Sequence, residues 1–369
     1  MSEADPPDRR VPDEPAAPTT DELPVTPGLF DQDAVDAAAA AKARGRRRTQ
    51  VVVAIAGVLV AVGVAAGVGF LRNDPPALIR RDVAVYAGLG AWIDTYDYVT
   101  TYAGPNPPVT PGTVDQLAGR GVKTIYLQPV RNDAKTPGGL IDADLLASFL
   151  TRAHAKKIAV VGWSTPRFVD VAFDLERLVK IADFDHKGQR FDGVAVDIED
   201  NESMRDPTTR SANLLALSRQ LRARVGADTA LGAIVMPAVQ LDIVNPAFWP
   251  AFPWGELRAF YDVWMPMTYW TTRDETSGWR DGERYTTESV RLMREHLADP
   301  EARVHPIGGI ADVSTPDQVA GFNRALAATG AIGGSLYDVA TTTEPIWRAL
   351  EPLPSVLTPR PAPTTTAAG

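Results

Sequence analysis

The sequence predicts an α/β protein built on a (β/α)8 barrel, and three observations lead there. Apolar, β-like runs alternate with amphipathic helical runs eight times between residues 82 and 351, the rhythm of consecutive βα units. One of those runs, Phe191-Asp192-Gly193-Val194-Ala195-Val196-Asp197-Ile198-Glu199-Asp200, is apolar and then ends in acids; barrel enzymes place their chemistry at the C-terminal ends of the strands. No glycine-rich turn follows the first run, which removes the main support for a doubly wound open sheet, the alternative fold.

Along the chain, residues 1–41 are rich in Pro, Asp, Glu, Ala and Thr without an apolar period, a composition that predicts disorder. A basic flank follows at 42–50, with Lys42, Arg44, Arg46, Arg47 and Arg48. Residues 51–70 carry no charge; at 1.5 Å per residue such a run crosses a hydrocarbon core of about 30 Å. The basic flank places the N-terminus in the cytoplasm and the barrel outside. A cleaved signal peptide is the rival reading. The run is longer than the usual apolar region of such a peptide and lies late in the chain, with no strong Ala-x-Ala site behind it. An uncleaved single-pass anchor is therefore predicted, with a linker at 71–81, the barrel at 82–351 and a Pro/Thr-rich tail at 352–369.

Within the barrel the predicted strands are 83–87, 124–128, 158–163, 193–199, 230–235, 263–269, 304–310 and 333–337. Helical patterns fill 142–156, 209–225, 286–297 and 315–328, the last opening at Ser314-Thr315-Pro316, a good helix start. Pro266 inside the sixth run predicts a bulge or break in the ladder. Strand alternation puts Val194, Val196 and Ile198 on one face and Ala195, Asp197 and Glu199 on the other.

The strand-end rule then gathers Asp94, Asp97, Gln128, Arg131, Trp163, Asp197, Glu199, Met236, Gln240, Met267, Tyr269, Trp270, Asp312, Tyr337 and Asp338 at one rim. Aromatic faces suit the apolar faces of sugar rings, and carboxylates suit hydroxyl binding and glycosidic chemistry. Each has a plainer reading: Tyr269 as a core aromatic, Trp163 and Trp270 as packing residues, Asp94 and Asp97 as loop caps, Asp338 as a helix cap.

Residues 192–199 and the run Met267-Thr268-Tyr269-Trp270 together resemble the chitinase-type family 18 glycoside hydrolases. That family carries DGxDxDxE on strand four and Met-x-Tyr-Asp on strand six of a (β/α)8 barrel. The chain matches at Asp192, Gly193, Asp197, Glu199, Met267 and Tyr269 and departs at Ala195 and Trp270. The resemblance implies Glu199 as proton donor, and Asp197 and Tyr269 as the groups that meet a substrate N-acetyl group. With Ala195 in place of the inner acid, Asp197 lacks the neighbour that would hold a proton against it, so it is expected to be ionised.

These readings converge on a membrane-anchored, extracytoplasmic glycosidase acting on a cell-envelope or extracellular polysaccharide. Glu199, Asp197 and Tyr269 are the catalytic candidates. Asp97, Gln128, Trp163, Met267, Trp270 and Asp338 are the substrate-binding candidates. A catalytically impaired carbohydrate-binding barrel and a structural ectodomain are the alternatives. A net charge of -9 offers no basic footprint for nucleic acid. The chain has no cysteine, which excludes disulfides, thiolate metal sites and a cysteine nucleophile. The four histidines are scattered, and no phosphate loop or Gly-x-Ser-x-Gly elbow is present. No cofactor and no metal are expected.

Overall fold

The computed structural model describes residues 80–353. Nine parallel strand segments form one sheet in the order β7-β6-β5-β4-β3-β2-β1-β9-β8. They are β1 (Gly88–Ile93), β2 (Thr124–Leu127), β3 (Ala159–Ser164), β4 (Gly193–Ile198), β5 (Leu231–Val235), β6 (Val263–Pro266), β7 (Arg303–Val304), β8 (Ile307–Ile310) and β9 (Gly333–Tyr337). Segments β7 and β8 are one stave interrupted at His305-Pro306: the first pairs with β6, the second with β9, and a bridge from Met267 to Ile307 joins it to the end of β6. With β9 paired to β1 the eight staves close on themselves, and closure removes the unpaired edges an open sheet would expose.

Helices Ala143–Ala155, Pro207–Val225, Gly282–Leu297 and Pro316–Thr329 stand where the sequence predicts them. Thr113–Gly119, Val171–Ala182, Trp254–Leu257 and Glu344–Leu350 complete the outer layer. Their starts are set by local chemistry: Asp142, Asp170, Asp206 and Asp281 each accept from backbone N–H groups of the first turn, and Thr315 with Gln318 forms a reciprocal capping box.

The first strand differs from the prediction. Residues 84–86 form a 3-10 turn, and β1 begins at Gly88. The reason lies in the lumen. Tyr86 is fully buried there, its hydroxyl 2.7 Å from the Val194 carbonyl and 3.1 Å from that of Ala230. Glycines make room around this plug: a Cβ on Gly193 would stand 2.9 Å from the Tyr86 hydroxyl, and one on Gly232 2.9 Å from its ring. On β1 a Cβ at Gly90 would stand 2.7 Å from the Tyr126 ring. The true strand is thus glycine-rich and reads weakly as β, while the apolar run before it reads strongly.

The sixth strand stops at Pro266, which is the last residue paired to β5. Pro306, which like Pro266 lacks an N–H, marks the break between β7 and β8. The predicted membrane run 51–70 lies outside the described residues; among those described, no helix is long and apolar enough to cross a membrane.

Candidate active site

The strand register fixes what faces the lumen. Trp92 is level with Tyr126, Tyr126 with Val161, Trp163 with Ala195, Asp197 with Ile234, and Ile234 with Met265. Neighbours in register point the same way, so Ala195 and Asp197 share the lumen with Trp92, Tyr126, Trp163 and Met265. The predicted alternation of β4 is the observed one.

Asp197 is buried. Its Oδ2 accepts a 2.7 Å hydrogen bond from the Thr165 hydroxyl, while its Oδ1 has no partner. Burial first, and the Glu199 carboxylate second, hold its carboxyl well above the usual range. The ionised state expected from the loss of the inner acid is therefore corrected: Ala195 does remove one carboxylate, but desolvation and Glu199 replace its effect.

Glu199 sits just past the end of β4, half-buried. Burial, with Asp200 adding to it, pushes its carboxyl up to about 7. Tyr269 stands opposite, half-buried, at the turn after β6. Its phenol is raised by burial and then by Glu199, Asp197, Asp338 and Asp94, which places one hydroxyl within the field of four carboxylates. Neither the Glu199 carboxylate nor the Tyr269 hydroxyl has a hydrogen-bond partner among the described residues. Polar groups at low exposure are ordinarily partnered, so both keep unspent hydrogen-bonding capacity.

A second acidic group closes the other side. Asp94, Asp97 and Asp338 each offer a carboxylate oxygen, all within 4.8 Å of one another. Asp94 caps the short helix Thr95–Tyr98, with Asp97 returning the cap at 2.9 Å. Asp94 Oδ2 also accepts from the Tyr337 hydroxyl, and Asp338, joined to Tyr337 by a cis peptide, accepts from Thr341 at 2.9 Å. Burial, then Asp94 and Asp338, push the Asp97 carboxyl up to about 8. Burial likewise raises that of Asp338. Three converging carboxylates have the chemistry to hold a cation, which the sequence reading did not include.

Several predicted binding residues are placed otherwise. Trp270 is fully buried against Phe322 of the helix Pro316–Thr329 and against Gly309. It faces the outer layer, as its even position along the chain requires, and cannot meet a sugar. Trp163 is 5% exposed, packs edge-on against Trp92, and donates to the Tyr126 carbonyl; it is part of the floor. Met267 is buried in the same cluster. Gln128 spends its amide oxygen on Thr95, at 3.1 Å from the hydroxyl and 3.3 Å from the N–H, and so ties two rim loops together. Gln240 accepts from Arg273, and Asp312 is exposed.

Asp192, the first acid of the strand-four motif, belongs to the opposite end of the barrel. It accepts from Val160 N–H at 2.7 Å and lies 3.0 Å from His154 Nε2, fastening the start of β3. Thr165 is the residue the sequence reading missed. The signal was a hydroxyl two positions beyond Trp163, at the C-terminal end of β3.

No protein-family model matches the chain, and no curated protein matches it. Solved structures do. The class V chitinase of Pseudomonas fluorescens Pf-5 is 12% identical, over 72% of this chain and 98% of that one, with a TM-score of 0.50. The endo-beta-1,4-mannanase of Thermotoga petrophila is 9% identical over 73% and 77%, with a TM-score of 0.51. The spore cortex-lytic enzyme SleL of Bacillus cereus is 11% identical over 74% and 75%, with a TM-score of 0.50. At such identities the likeness shows the fold alone, a (β/α)8 barrel.

Proposed function

We propose that this chain is a glycoside hydrolase that acts on a cell-envelope or extracellular polysaccharide, with Glu199 as its general acid. The observation that carries the reading is the meeting of Asp197, Glu199 and Tyr269 at the C-terminal rim, with the Glu199 carboxyl unpartnered and raised to about 7. A carboxylic acid that keeps its proton near neutrality can protonate a leaving oxygen. Asp197, two residues earlier on the same face, stabilises positive charge at the sugar carbon in its ionised form, which the Thr165 hydroxyl favours against burial, and Tyr269 donates to the substrate. Asp97 and Asp338 are the candidates for the second carboxylate, as nucleophile or as base to a water. The known activities named for the structurally similar proteins, on chitin, mannan and spore cortex, support a polysaccharide as the substrate class.

The family 18 likeness belongs to this proposal. Its roles for Glu199 and Tyr269 agree with their unpartnered groups at the rim, Asp197 lies buried beside them on Thr165, and Ala195 makes the motif incomplete. Anchoring through residues 51–70, with the barrel outside the cell, is proposed on the sequence alone. Sedimentation of the full chain with membranes, and its release by cutting within 71–81, tests that part.

Ala195 also favours a second reading, a barrel that binds polysaccharide without cleaving it. Reducing-end release from chitin-type, peptidoglycan and other bacterial polymers separates the two. Release that is lost in Glu199→Gln, and that declines in the native protein above about pH 7 as the acid ionises, is the expected result. Release equal in Glu199→Gln overturns the assignment. Retention of polymer by both proteins with no release selects the binding module.

A further inference from the structure

Four large apolar side chains of the described residues are exposed: Tyr96, Val169, Ile243 and Val313. All four stand at the barrel end that carries Glu199, in the segments that follow β1, β3, β5 and β8. Apolar groups exposed singly are ordinary, but their gathering at one end marks a surface on which something lies.

Tyr96 is the aromatic among them, and it is held although 56% exposed. Its N–H donates to Asp94 Oδ1 at 2.7 Å, and its hydroxyl accepts from Arg131 at 3.2 Å. The Arg131 guanidinium lies 5.1 Å from the ring centre, and Tyr102 meets the ring edge-on at 5.7 Å between centres. Asp133 fixes both supports, accepting from the Tyr102 hydroxyl at 2.7 Å and from Arg131 at 3.1 Å. An exposed side chain ordinarily loses rotamer freedom when a ligand settles on it; this ring is ordered beforehand.

Contacts run from this group to both sides of the candidate site. Asp94 accepts from the Tyr337 hydroxyl, and the Tyr337 ring stands 6.3 Å from that of Tyr269. Asn132, next to Arg131, donates to the Thr165 carbonyl at 2.9 Å, and the Thr165 hydroxyl donates to Asp197. Tyr96 therefore stands outside Glu199 and Tyr269, beyond Asp94 and Tyr337, on the same mouth. Its ring is bordered by donors, Arg131 over Tyr96 and Lys135 over Tyr102. That combination matches a sugar: the C–H face of the pyranose lies on the aromatic ring and its hydroxyls accept from the cations.

We infer that Tyr96, braced by Arg131 and Tyr102, is a stacking subsite for a sugar ring remote from the bond to be cut, so that the protein engages a chain longer than a disaccharide. The inference rests on the reading of this rim as a polysaccharide site and adds the reach of the substrate.

The test is calorimetric binding to the full chain in detergent, carrying Glu199→Gln so that no bond is cut. The probes are disaccharides and hexasaccharides of β-1,4-linked N-acetylglucosamine, of β-1,4-linked mannose and of peptidoglycan glycan strands. A hexasaccharide should bind at least about ten-fold tighter than its disaccharide, and Tyr96→Ala should remove most of that gain while changing disaccharide affinity less than about two-fold. Tyr96→Phe keeps the ring and should keep the gain. Should Tyr96→Ala lose its fold by circular dichroism, Arg131→Met removes the brace and should lower the gain by about half or more. A gain that survives Tyr96→Ala, or survives Arg131→Met where that variant stands in, overturns the proposal. So does an equal loss in Tyr96→Phe and Tyr96→Ala, which would assign the effect to the hydroxyl and not to the ring face. The absence of any hexasaccharide gain overturns it as well. Failure here is separable from failure of the hydrolase reading. Glu199-dependent release of reducing ends with no effect of Tyr96 sinks the subsite alone, whereas a Tyr96-dependent gain without release by the native chain sinks the hydrolase alone.

Discussion

Ala195 and Thr165 together define how Asp197 is held. A methyl group stands where the resembling family has a carboxylate, and the lumen beside it is filled by Tyr86, Gly232 and Met265, so no polar group from below reaches Asp197. Its one protein partner is the Thr165 hydroxyl on the neighbouring loop. That bond lowers the Asp197 carboxyl against the burial that raises it. Thr165 is thus a positioning residue, and Thr165→Val leaves both Asp197 oxygens orphaned. Loss of one buried hydrogen bond to a charged group costs on the order of 1–3 kcal/mol, so turnover should fall about ten- to one-hundred-fold. The fall should appear in kcat, with the acid limb of the pH profile moved upward because Asp197 then ionises less readily. Thr165→Ser should restore both. A Thr165→Val protein with an unchanged profile would show that the hydroxyl only packs. The direction of the β4 candidates was legible in the sequence, because strand alternation fixes it. Trp163, Trp270 and Gln128 lie in the floor, the outer layer and a tie between rim loops, because strand ends fix position along the barrel but not where a side chain finishes.

At the scale of the strands, what the sequence hides is the complementarity of a large residue on one element with a missing side chain on another. Seven of the eight predicted strands overlap a stave, since apolar period and spacing carry them. The first does not, because Tyr86 needs Gly193 and Gly232 on other strands, a relation no local pattern shows. The same relation explains a glycine within the strand-four motif. Gly193→Ala drives a Cβ to 2.9 Å from a hydroxyl that is itself pinned to two carbonyls, and overpacking of this kind costs about 1–3 kcal/mol. Tyr86→Phe removes the clashing oxygen and alone should cost about 1 kcal/mol for its hydrogen bond. The double variant should therefore be more stable than the sum of the two losses, a coupling that denaturant titration of all four proteins measures. Strict additivity would mean that the glycine serves backbone freedom instead of the plug.

Over the whole molecule, two sets of buried groups pull stability in opposite directions with pH. His305 lies in the lumen between the Tyr86 carbonyl, 2.8 Å from Nδ1, and the Ser335 hydroxyl, 3.0 Å from Nε2. Burial lowers it from 6.5 to about 4. The unfolded chain binds that proton first, so stability falls as pH drops from about 6.5 to 4. The rim acids act the other way. Asp97 rises from 3.8 to about 8, and across that window the folded chain holds a proton the unfolded chain has released, so stability falls as pH rises. The penalty is absent below about pH 4 and complete above about pH 8. Asp97→Asn removes it while keeping an oxygen to accept the Asp94 N–H at 2.9 Å. The variant should match the native protein in melting temperature at pH 4 and exceed it at pH 8 by at least about 2 °C, the response to roughly 1 kcal/mol in a domain of this size. The gain should grow through pH 6 and 7, since each step ionises more of Asp97 in the native protein beside Asp94 and Asp338. A variant destabilised equally at every pH would mean that the Asp97 carboxylate is charged throughout and held by a cation among the three acids.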